Sequence, residues 1–101
     1  MKVFISQPVR GRDPEDILKE REKVMDYVRK FHPDAEEIHS YVQNIQLDAR
    51  IPELSVLGMS LTMMAHADLV VFAPHWIVSR GCQMEYRAAD AFGLEIMDME
   101  A

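Results

Sequence analysis

His75, Trp76, Ser79, Arg80 and Glu85 fall in one short segment between an apolar run and a helix. The run, Asp68-Leu-Val-Val-Phe-Ala-Pro74, reads as a buried strand. The helix begins near Gly81, which places Glu85 in or just after its first turn. The positive end of a helix keeps a carboxylate ionised, and carboxylates are established nucleophiles at the anomeric carbon of a sugar. The plainer reading is a solvated glutamate that only stabilises its helix. Ser79, Arg80 and the backbone N–H groups around Gly81 are donors for an anion. Arg80 has a competing role, pairing with a carboxylate such as Glu85. Trp76 offers a flat face for a base, or else a lid over the sheet edge or a piece of subunit contact. His75 reads as a solvated loop residue. Cys82 is either a thiol activated by the helix start or a small buried side chain.

A second loop carries related chemistry. Gln7-Pro-Val-Arg-Gly-Arg12 follows the apolar strand Lys2–Ser6 and ends at a helix start. Gly11 lets the backbone approach a ligand. Arg10 and Arg12 each present a fork of donors to phosphate or carboxylate. Arg12 is equally suited to pairing with Asp13, Asp16 or water. The loop is neither a P-loop nor a Gly-x-Gly-x-x-Gly dinucleotide motif.

Composition limits the partners. The net charge is −6 with Lys and Arg dispersed, which argues against a nucleic-acid polymer as ligand. No apolar stretch is long enough for a membrane span, and the N-terminus lacks a signal-peptide pattern, so the expectation is a cytoplasmic protein. A single cysteine excludes an internal disulfide. His32, His39, His66 and His75 lack metal-ligand spacing, and neither metal nor cofactor is expected.

The elements that must position these residues alternate. Asp13-Pro14 starts a first helix that runs to about Phe31, with Asp as N-cap and Pro at the first helical position. Its apolar stripe is Ile17, Leu18, Val24, Met25 and Val28. Glu37–Ser40 is a short second strand, and Tyr41–Pro52 is irregular. A second helix over Glu53–His66 carries two apolar stripes, Leu54/Leu57/Leu61/Met64 and Val56/Met59/Met63. One faces the sheet. The other is buried by the chain itself or, as we favour, by a second copy, which makes a homodimer or higher homo-oligomer through the 53–66 helix the expectation. Helix Gly81–Phe92, capped by Gly93, and strand Leu94–Met97 complete a β-α-β-α-β-α-β order. That order predicts one α/β domain over residues 1–101, a flavodoxin- or Rossmann-like three-layer sandwich. With strand order 2-1-3-4, both unusual loops meet at the switch point where such sheets bind ligands.

Val3-Phe-Ile-Ser-Gln-Pro-Val-Arg-Gly11, Ala67–Pro74, Arg80-Gly-Cys-Gln-Met-Glu85, Ala88-Ala89 and Gly93 together resemble the nucleoside 2-deoxyribosyltransferase-like superfamily, above all its DUF4406 branch. The resemblance implies a flavodoxin-like fold, an oligomer, and cleavage or transfer at the N-glycosidic bond of a deoxynucleoside or its monophosphate. It implies Glu85 as nucleophile and Ser79 with Arg10-Gly11 as phosphate ligands. Gln7, Trp76, Arg80 and Gly81 complete the expected substrate site, with Trp76 or Tyr41 beside the base. The chain has Phe4 where the family usually has Tyr, Ser60 where it has a proton-transferring Asp, and no C-terminal tail with an Asn or aromatic residue. Asp48, Glu53 and His75 are the candidates to replace that Asp. These departures favour an alternative: a nucleotide-binding sensor or accessory module without catalysis.

Overall fold

Strand β1 (Lys2–Ser6) is pinned at its start by reciprocal bonds to Asp68: the Lys2 N–H reaches its carboxylate at 2.7 Å and the Asp68 N–H reaches the Lys2 carbonyl at 2.8 Å. The computed structural model describes residues 1–43 and 47–100. Its further elements are α1 (Pro14–Arg29), β2 (Glu36–Glu37), α2 (Pro52–Met64), β3 (Leu69–Phe72), a single 3₁₀ turn (Trp76–Val78), α3 (Arg80–Ala91) and β4 (Glu95–Asp98). The four strands form one sheet in the order β2-β1-β3-β4, and every pairing is parallel. This is the expected α/β sandwich with the expected switch between β1 and β3.

Strand alternation sorts the core into two layers. Val3, Ile5, Leu69 and Val71 meet Val24, Met25 and Val28 of α1 on one face. Phe4, Val70 and Phe72 meet Met64 of α2 and Cys82 and Ala89 of α3 on the other. Ser6, in step with Phe4, therefore shares the α2–α3 face, while Gln7 turns to α1.

Three sequence expectations need correction. Leu18 is 49% exposed and Arg21, which continues the Ile17–Val24–Val28 period, takes the buried place on α1. The second strand is shorter and earlier than Glu37–Ser40, because the Ser40 N–H bonds the Ile38 carbonyl and turns the chain off the sheet. The 3₁₀ turn interrupts what reads in the sequence as plain loop. The sequence predicts an irregular stretch over Tyr41–Pro52; Pro52 instead opens α2, and residues 44–46 lie outside those described. The end of α3 follows expectation. Gly93 has φ 72°, its N–H bonds the Asp90 carbonyl, and the Leu94 N–H bonds the Ala89 carbonyl, which is a Schellman cap.

Candidate functional site

Glu85 lies on α3 beyond the first turn, where the helix dipole has faded. It is only 7% exposed. The Ser6 hydroxyl, at the carboxyl end of β1, donates to its Oε1 at 2.7 Å. Burial raises the Glu85 carboxyl above the ordinary carboxylate range; hydrogen bonding by Ser6 and Ser60 and the charge of Arg21 pull it back only in part. The expectation of a dipole-ionised carboxylate is thus replaced by a desolvated one that holds its proton more tightly.

Glu85 closes one side of a cleft of about 140 Å³. The other walls come from Phe4, Ile5, Gln7 and Val9 along β1 and its loop, Arg21 of α1, Ser40–Val42 after β2, and Val56, Met59, Ser60 and Met63 of α2. The second apolar stripe of α2 therefore lines this cleft. A larger groove of about 330 Å³ runs beside β2 past Lys2, Glu36 and His66, and Glu85 does not line it.

Arg21 braces the cleft. Its Nε donates to Glu37 at 2.8 Å, Nη1 to the Gln7 side chain at 3.3 Å, and Nη2 to Ser40 at 2.9 Å and the Ile38 carbonyl at 3.4 Å. Gln7 in turn donates to the Ile17 carbonyl and to Glu20. One buried guanidinium so ties α1 to the end of β1 and to the segment after β2.

The predicted site residues separate into groups. Glu85 and Gln7 line the cleft. Arg10 and Gly11 are exposed on the loop after β1, and Gly11 has φ 72°, the left-handed conformation glycine adopts without strain. Ser79 is the N-cap of α3 and accepts the Cys82 N–H at 3.3 Å; Arg80 and Gly81 are exposed in the first turn. Trp76 is buried, stacked on Tyr86 with ring centroids 4.7 Å apart, and its indole N–H donates to Asp98 at 2.8 Å. That ring packs in the α2–α3 layer, with Tyr86 on its face. Tyr41 instead stands in the cleft. Asp48, Glu53 and His75 are exposed and do not line it. Cys82 is buried, and burial pushes its thiol up while Ser6 and Ser79 pull it down, which matches the small buried residue of the two alternatives.

Sequence reasoning missed Ser6 and Arg21. Each carried a signal: Ser6 is the polar residue closing an apolar strand, and Arg21 falls on the apolar period of its helix. Among the described residues no three His, Cys, Asp or Glu side chains cluster as metal ligands. No helix among them is long and apolar enough to cross a membrane.

What the cleft can do follows from its groups. A desolvated carboxyl bonded by the Ser6 hydroxyl is an acid when protonated and a nucleophile when ionised. Tyr41 and the α2 methionines supply apolar surface for a flat ligand. Comparison with curated proteins and with solved structures finds no significant match. The family model described as Domain of unknown function (DUF4406) matches residues 1–98, and the chain belongs to that family.

Proposed function

We propose that the cleft binds a deoxynucleoside or its monophosphate and that Glu85 attacks the anomeric carbon. The observation that carries this reading is the buried Glu85 carboxyl, bonded by Ser6, beside the β1–β3 switch point. The sugar lies over Glu85 with the base against Tyr41. A Glu85 oxygen bonds C1′ as the C1′–N bond breaks, and the bonding pair leaves with the base nitrogen, which takes a proton from solvent. Water then attacks the glycosyl ester, gives up a proton and restores the carboxylate; a second base attacking there makes the reaction a transfer. Arg10, Gly11 and the Ser79–Gly81 turn are candidates to meet the part of the ligand that leaves the cleft.

The test is base release from a panel of deoxynucleosides and their monophosphates, followed by chromatography. Wild type should release base and Glu85→Ala should not. No release by wild type on any substrate would sink the catalytic part.

A second reading has its own support. Ser60 stands by Glu85 where a second acid would serve the leaving base, and burial favours the protonated Glu85. The same cleft then binds a nucleoside without turning it over. Thermal stabilisation by ligand with no base release would select this reading.

We also propose that α2 packs on a second copy of the chain. Leu54, Val56 and Met59 are exposed to 60%, 41% and 39%, and the helix carries no charged side chain beyond Glu53. Because Val56 and Met59 also line the cleft, a symmetric contact of this kind would bring the second copy against it.

A further inference from the structure

The geometry points to a cleft built for an uncharged ligand, with Glu37 as the residue that enforces this by holding the Arg21 cation. The inference rests on the nucleoside reading and narrows it to the ligand without a phosphate.

Phosphate sites need an available cation or free N–H groups. Arg21 is the one cationic side chain that lines the cleft among the described residues. All three of its guanidinium nitrogens already donate, and Nε is held by the Glu37 carboxylate at 2.8 Å. The pair is inward: the Arg21 side chain is 5% exposed and that of Glu37 20%. Arg12, on the loop after β1, is spent on Glu20 at 2.9 Å and on the Pro8 carbonyl.

The two helix starts nearest the switch point each carry a cap from the chain itself, and neither lines the cleft. Asp13 caps α1, accepting the Glu15 N–H at 2.9 Å, and Glu15 and Asp16 add charge of the same sign in the first turn. Ser79 caps α3. Arg10 and Arg80 are exposed and outside the cleft lining. A phosphate inside the cleft would therefore lie among groups that already answer one another, Arg21 with Glu37 and Glu85 with Ser6, and would be desolvated with no cation of the lining free to balance it.

The experiment is calorimetric titration of wild type and Glu37→Gln with a deoxynucleoside, its 5′-monophosphate, and inorganic phosphate. Wild type should bind the nucleoside at least roughly tenfold more tightly than the monophosphate and should ignore inorganic phosphate. Glu37→Gln keeps the shape of the side chain and one acceptor oxygen, removes the charge that balances Arg21, and should narrow or reverse that ratio. Tighter binding of the monophosphate by wild type overturns this inference and leaves the nucleoside reading standing. Binding of neither by wild type overturns both. An unchanged ratio in a folded Glu37→Gln protein removes Glu37 from its assigned role and overturns the inference in that part, and the wild-type ratio decides the rest without the variant.

Discussion

Replacing Arg21 by alanine should cost about 3 kcal/mol of folding stability. Breaking a buried ion pair by deleting one partner costs about 3–5 kcal/mol, because the other partner is left desolvated. Glu37 is partly exposed and can turn toward water, which moves the estimate to the lower end. Against that, Gln7, Ser40 and the Ile38 carbonyl lose a donor together, and the arginine stem leaves a gap on the apolar stripe of α1. For a domain of this size, with a urea slope on the order of 1.5 kcal/mol/M, the midpoint should fall by about 2 M. Small domains hold only about 5–15 kcal/mol in total, so the effect is a large fraction of the whole. The assay is equilibrium urea unfolding of wild type, Arg21→Ala, Glu37→Ala and the double variant, with Lys19→Ala as a surface control. The double variant should be less destabilised than the sum of the singles. A loss under about 1 kcal/mol for Arg21→Ala, or strict additivity, would refute the brace.

Other consequences follow from the same contacts. Glu85 has a folded-state pKa raised by burial, so the folded state holds its proton more tightly than the unfolded chain. Its stabilising contribution is complete below the ordinary carboxylate pKa and declines as pH rises through the raised value; Glu85→Gln should flatten that decline in melting scans between acid and neutral pH. Ser6→Ala removes a hydrogen bond that favours the carboxylate, so the Glu85 titration, followed by carboxyl ¹³C shifts, should move to higher pH. Trp76→Phe loses the bond to Asp98 and the stacked area on Tyr86, and should cost about 1–3 kcal/mol by urea unfolding. Leu54→Lys with Met59→Lys should convert an oligomer to monomer in sedimentation velocity; identical sedimentation would remove α2 as the contact.

The fold was legible because each level of the sequence agreed with the next. Asp13-Pro14 and Gly93 marked helix ends that the structure keeps, and the apolar runs at Val3–Ile5 and Leu69–Phe72 became the two central strands. The site was harder to read, since its geometry is set by tertiary contact. Glu85 could be placed on a helix, but whether it faced water or the sheet depended on Ser6, 79 positions away in sequence. Arg21 is hard to find in the sequence because a charged residue on an amphipathic helix ordinarily belongs to the wet face. Trp76 misleads for the opposite reason: an aromatic residue in a polar loop looks available as a stacking platform until Tyr86 is found on its face.

The central claim is that the Glu85 cleft is a nucleoside site. Its most direct test is a ¹H–¹⁵N correlation titration of the full chain with deoxynucleosides and their 5′-monophosphates. Saturable shifts are expected at Gln7, Tyr41, Ser60 and Glu85, which line the cleft, and at Ser6, which bonds Glu85, and they should weaken in Glu85→Ala. Shifts confined to residues outside the cleft, or no shifts with any of these ligands, would contradict it.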